Sequence, residues 1–156
     1  MEPSGVPIAQ WRLAAPPETS RQQGGTALTR ARVLTMTERC WCCRSKVRGV
    51  VGVLVEMSAG RRFVPFADIA DTLASSADPR TLAARGIGPL RHRDSPGIQG
   101  GYVANGCWSC DALIGRLGLE DMLDEHLRNG GTYRQLDCGL AVELELPAVA
   151  ALQRVA

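Results

Sequence analysis

Two C-x-x-C pairs, Cys40-Trp41-Cys42-Cys43 and Cys107-Trp108-Ser109-Cys110, restrict this chain more than any other feature of its 156 residues. Two residues between cysteines let a tight turn aim both thiols at one point. Two such turns supply four sulfurs, the complete tetrahedral sphere of a Zn²⁺ at about 2.3 Å. The ligand set expected from this spacing is Cys40, Cys43, Cys107 and Cys110, holding one structural Zn²⁺. Cys42 is the alternative to Cys43. Cys43 is preferred, because two intervening residues match the second pair. Four cysteines close the sphere, so no position is left for a reacting water and no catalytic residue is assigned.

A simple ribbon separates its pairs by about 15–20 residues, whereas residues 44–106 lie between these two. The long interval is expected to be folded, with the metal clasping its two ends and restricting the unfolded chain. The competing reading of a C-x-x-C is a redox pair at a helix N-terminus. Two separate copies of such a motif are not expected in one chain. Cys138 is read as a small, partly buried side chain.

The elements around the pairs are legible in part. Residues 1–35 hold Pro3, Pro7, Pro16, Pro17, Gly24 and Gly25 without hydrophobic period, and are expected to be a disordered N-terminal tail. Met36 would make a second plausible start. Val47 to Met57 is Val-rich and reads as a buried strand, with Gly49 and Gly52 as bends or points of close approach. Arg61 to Pro65 is a shorter extended piece. Phe66, Ile69, Ala70 and Leu73 share one helical face, and Asp78-Pro79 opens a second short helix that Gly86 ends. Residues 88–101 read as a loop, and Gly101 to Asn105 as a short strand. Leu119 to Arg128 forms an amphipathic helix, and Leu140 to Leu146 alternates as a half-buried strand. The expectation is an α+β domain over 36–150: a small antiparallel sheet with a zinc-ribbon-like clasp of four cysteines and three short helices. Residues 151–156 are expected to be a flexible C-terminus.

Charge excludes little. The net formal charge is +2, and aromatics are only 4% of the chain. Basic residues outnumber acidic ones ten to six over 36–110, and the ratio reverses to four against eight over 111–156. Two solvated faces of one domain account for this. Seventeen of the eighteen basic residues are Arg and Lys46 is the one Lys, a coding bias of GC-rich bacterial genomes. No apolar run approaches the roughly 20 residues that span a bilayer, so no membrane partner is expected. Residues 1–15 lack a basic segment followed by an apolar one, so secretion is not expected. Six cysteines in such a chain then point to a reducing cytoplasm.

Two further sites compete. Arg44, Lys46, Arg48, Arg91 and Arg93 would serve a nucleic-acid-binding protein. Arg91 to Asp94 also fall on an exposed Pro/Gly loop suited to recognition. A metal-dependent nuclease would need His92 or Asp94 with Asp121 and Glu125 around Mg²⁺. Their spacing specifies no such site, and His126 sits among ordinary helix-surface residues. Phosphate-loop, dinucleotide, nucleophile-elbow and H-E-x-x-H motifs are absent. Trp41 and Trp108, each one residue after the first Cys of its pair, are read as shielding the metal.

Arg39-Cys40-Trp41-Cys42-Cys43 before a Val-rich strand, followed by Tyr102-Val103-Ala104-Asn105-Gly106-Cys107-Trp108-Ser109-Cys110-Asp111-Ala112-Leu113-Ile114-Gly115, resembles a group of small, uncharacterised bacterial zinc-ribbon proteins. The resemblance covers roughly residues 38–146. It implies zinc on the four paired cysteines and assigns no reaction. The function expected is therefore a zinc-binding adaptor module whose partner, protein or nucleic acid, is not specified.

Overall fold

The computed structural model describes residues 25–58 and 60–147. Seven strands and three α-helices follow one another along them: β1 (Thr26–Arg39), β2 (Lys46–Met57), β3 (Gly60–Pro65), α1 (Phe66–Ser76), α2 (Pro79–Ala83), β4 (Arg91–Ser95), β5 (Ile98–Gly106), β6 (Leu113–Ile114), α3 (Arg116–Arg128) and β7 (Asp137–Pro147). A 3-10 turn, Tyr133–Leu136, leads into β7. The strands form two antiparallel sheets, one ordered β3-β2-β1-β7 and one ordered β4-β5-β6. The α+β architecture expected from sequence is the one observed, with two sheets in place of one.

The larger sheet is a middle layer. On one face Val33, Val53, Val55 and Leu144 pack with Ile69 and Leu73 of α1. On the other, Leu34, Val51 and Leu54 pack with Leu119 and Leu123 of α3, and Cys40 and Cys107 join this second core. A sheet buried on both faces needs central strands that are apolar on both faces. Strands β1 and β2 meet this with Val33-Leu34 and with Val50 to Val55, all buried. Gly49 lets α3 come close, since a Cβ there would stand 2.5 Å from a methyl of Leu119.

A buried side chain of the smaller sheet, Asn105, fastens it to the edge of the larger. Strand β3 pairs with β2 only as far as Gly52 opposite Pro65. Beyond that point the exposed edge of β2 needs other partners. The Val50 N–H donates to the Asn105 side-chain carbonyl at 2.7 Å, and the Asn105 amide donates to the Val50 carbonyl at 3.0 Å. One step further the Arg48 N–H donates to the Gly86 carbonyl at 3.0 Å. Asn105 is only 2% exposed.

Two expectations are corrected. Residues 26–35, assigned to a disordered tail, form the greater part of β1, the strand between β2 and β7. Ala31, Val33 and Leu34 are fully buried there. The rest of that tail, 1–24, and the flexible C-terminus at 151–156 lie outside the described residues. Residues 88–101, read as a loop, contain β4 and the start of β5, a hairpin in which Arg91 faces Ala104 and Arg93 faces Tyr102. Strand β4 is nearly all polar, so hydrophobic alternation could not reveal it. The helices match their expected faces. Phe66, Ile69, Ala70 and Leu73 of α1 are buried, and Asp78 caps α2 by accepting from the Thr81 N–H at 2.9 Å.

Candidate metal centre

The four expected thiols come together. Each cysteine pair sits on a turn linking two strands, β1 to β2 for Cys40 and Cys43, and β5 to β6 for Cys107 and Cys110. The turns are built alike. The Cys40 N–H donates to the Ser45 carbonyl and the Arg44 N–H to the Cys40 carbonyl, at 2.9 and 3.0 Å. In the second turn the Cys107 N–H donates to Ala112 and the Asp111 N–H to Cys107, both at 2.9 Å. Arg44 and Asp111 fill equivalent places and adopt the same left-handed backbone, with φ of 63° and 59°. Non-glycine residues meet a steric penalty in that region, so its double occurrence reflects what the turn demands. The two turns therefore form a local, pseudo-twofold repeat.

The tryptophans tie the halves together. The Trp41 indole N–H donates to the Leu113 carbonyl, and the Trp108 indole N–H to the Lys46 carbonyl, both at 2.9 Å. Leu113 and Lys46 each stand six residues after the first cysteine of their own turn, so the two bonds are equivalent and reciprocal. The rings remain exposed, at 67% and 50%. Tryptophan here braces one turn against the other.

The four Sγ atoms lie within 4.8 Å of one another. Cys40 and Cys110 sulfurs stand 3.6 Å apart, as do those of Cys43 and Cys107. Disulfides require about 2.05 Å. A tetrahedron with metal–sulfur bonds of about 2.3 Å has edges of about 3.8 Å, and the observed separations fit it. Cys40 and Cys107 are buried in the second core, whereas Cys43 and Cys110 reach the surface. Cys42 is exposed to solvent and is not one of the four.

Electrostatics favour a cation among these thiols. The Ser45 hydroxyl, then its backbone N–H, lower Cys43 to about 6. Cys40 is lowered chiefly by the Cys43 backbone N–H. Cys110 receives a lowering contribution from the Ala112 N–H, yet burial and the three neighbouring sulfurs push it up to about 12. Four thiolates in contact cannot all form unless a cation offsets their charge. A divalent ion with thiolate affinity and tetrahedral preference would supply that offset.

Around the second turn, Asp111 gathers two arginines from β4. Arg93 donates to the Asp111 carboxylate at 2.5 Å, to its backbone carbonyl at 2.9 Å and to the Pro89 carbonyl at 3.1 Å. Arg91 pairs with the other Asp111 oxygen. Arg91 to Asp94, expected on an exposed loop, therefore lie on strand β4, where both arginines pair with Asp111 and Arg91 stays 61% exposed. The Arg93 side chain is only 10% exposed and holds the second cysteine turn in place. Arg44, Lys46 and Arg48 do stand exposed on the first turn and the start of β2.

The nuclease set is not brought together. Asp121 and Glu125 lie exposed on α3, and His92 and Asp94 on β4. Among the described residues, the four cysteines are the one group of three or more Cys, His, Asp or Glu close enough to hold an ion. A ring nitrogen of His126 lies 3.1 Å from the Thr132 carbonyl at the end of α3. Cys138 is partly buried on β7, where burial raises its thiol and its carbonyl accepts from Arg85 at 2.6 Å. Sequence reasoning missed Asn105 and Asp111 as supports of the site. Each acts on residues distant along the chain.

No helix among the described residues is long and apolar enough to cross a membrane. Compared with protein-family models, with curated proteins and with solved structures, the chain matches none.

Proposed function

We propose that this protein binds one Zn²⁺ through Cys40, Cys43, Cys107 and Cys110, and that the ion is structural. The observation that carries this reading is the tetrahedral spacing of four sulfurs on two equivalent, cross-braced turns. The ion would clasp β1 and β2 of the large sheet to β5 and β6 of the small one. Four protein sulfurs leave no site for substrate or water, so the zinc would serve folding and not reaction. The resemblance to small bacterial zinc-ribbon proteins points the same way. Iron is the other metal that a four-sulfur tetrahedron takes. Elemental analysis of the purified chain should give one zinc per chain with iron near zero. A folded chain free of both metals would overturn the reading.

The module is proposed to act in the cytoplasm by binding a partner. The metal end presents two exposed indoles, Trp41 and Trp108, beside the exposed cations Arg44 and Lys46. Aromatic faces flanked by cations also suit stacked bases and phosphates, and this favours nucleic acid as a second reading. Salt-dependent binding of single-stranded oligonucleotides, weakened by Arg44→Ala with Lys46→Ala, would support it.

A further inference from the structure

Away from the metal, the larger sheet carries a second concave site. Leu54, from the core beneath α3, also lines a cleft of about 440 Å³. Four arginines surround it, drawn from three elements. Arg30 and Arg32 stand two apart on β1 and so share a face, Arg61 comes from β3 and Arg134 from the 3-10 turn. Two carboxylates accompany them. Asp137 holds Arg32 through two bonds, at 2.9 and 3.2 Å, and Glu56 lies 3.4 Å from Arg61. Arg30 and Arg134 are exposed and make no ion pair among the described residues. Glu143 faces Arg30 in the β1–β7 register but does not line the cleft.

We propose that this cleft binds the phosphate group of a small ligand. The lining carries four guanidinium groups against two carboxylates, a surplus of two positive charges that matches a phosphate dianion. Arginine supplies planar, forked donors suited to such oxygens, and charge-assisted bonds of this kind are strong. Asp137 fixes the guanidinium of Arg32 in one orientation, which lowers the entropy lost on binding. A merely solvated basic face would spread its charges over a convex surface. Here like charges from three elements converge on one concavity, an arrangement that an anion relieves. The proposal is independent of the metal reading.

The test is calorimetric titration of the full chain with inorganic phosphate and with pyrophosphate, beside titration with a single-stranded oligonucleotide. Arg30→Gln and Arg134→Gln should each weaken the small anions about tenfold, and together about a hundredfold. Glu56→Gln should tighten them, an effect no purely structural role predicts. Metal content and melting temperature should not change in these variants, which separates this outcome from any failure at the cysteines. Three results would overturn the proposal. They are no phosphate or pyrophosphate binding at millimolar concentration, unchanged binding in the double variant, and oligonucleotide binding lost in that variant while the small anions never bind.

Discussion

Trp41 and Trp108 hold each other's turns: the indole of each donates to a carbonyl just beyond the other's cysteine pair, both at 2.9 Å. A ring used only as a shield would make no such directed bond. Trp41→Phe keeps an aromatic face and removes the N–H. It should cost about 1 kcal/mol, the usual net value of one hydrogen bond, and Trp108→Phe about the same. Both variants should release metal to a chelator faster than the parent. If Trp41→Phe and Trp108→Phe leave the release rate unchanged, the indoles shield and do not brace.

Removal of the metal should unfold much of the chain, because Cys40 and Cys107 are fully buried in the core beneath α3. Without a cation the four sulfurs repel once ionised, or bury unpaired thiols once protonated. Cys40→Ser should lower the melting temperature sharply and abolish stoichiometric zinc, and Cys110→Ser should do the same. Cys138→Ser, remote on β7, should leave zinc content intact. Thiolate ligands also make affinity fall with acid, so bound zinc should be lost well before the rest of the protein titrates. Circular dichroism during chelation, read beside metal content, checks both claims.

Asn105 makes two bonds to Val50 inside the molecule, at 2.7 and 3.0 Å. Asn105→Ala removes both and leaves the Val50 N–H and carbonyl buried without partners. Unsatisfied buried groups cost about 1–3 kcal/mol each, so the loss should reach several kcal/mol. Asn105→Asp keeps the acceptor but loses the donor to the Val50 carbonyl, and should also be destabilised. Denaturant melts decide the matter. A cost below about 1 kcal/mol for Asn105→Ala would mean that water replaces the amide.

The cysteine cluster was legible because its signal is local: the turn geometry needs only cysteines separated by two residues. Helix α1 was legible for a similar reason, since Phe66, Ile69, Ala70 and Leu73 repeat at helical spacing on one buried face. Strand β1 was not. Its side chains meet cores on both faces, and its register shifts beside Leu34, so Val33-Leu34 breaks the two-residue alternation. The β-branched Thr26, Thr29, Val33, Thr35 and Thr37 were the signal available there. The Arg93–Asp111 brace and the arginine cleft had no local signal, because each joins residues distant in sequence that only the tertiary fold brings close.

Acid should weaken the bond between β1 and β7. Burial works to raise the Asp137 carboxyl, but the hydrogen bond from Arg32 and the Gly139 N–H outweigh it and hold the carboxyl below its ordinary value. A folded value below the unfolded one means that the pair stabilises the fold above the unfolded value, near about 4, and is lost as pH falls through the folded value. Both side chains are partly exposed, at 32% and 24%, so the contribution at neutral pH is about 1 kcal/mol. Asp137→Asn should lose that amount at neutral pH and show a flatter stability curve below about pH 4. Equal acid sensitivity in the variant and the parent would remove Asp137 from the acid response.

A chain that starts at Met36 should fail to fold. It would keep both cysteine pairs, and a metal clasp standing alone would still form. It would lose residues 26–35, however, and these pair with β2 on one side and β7 on the other. Ala31, Val33 and Leu34 are fully buried and are shared between the two cores. Their loss exposes β7 and uncovers both faces of the sheet. Burial of one Val or Leu side chain contributes about 1.5–3 kcal/mol, and a domain has about 5–15 kcal/mol in all, so removing Val33, Leu34 and the central pairing exceeds the margin. The shortened chain should aggregate or show no cooperative melt, even with zinc supplied in excess. A cooperative melt with full zinc content would show that the clasp and the helices suffice, and that β1 before Met36 is an accessory strand.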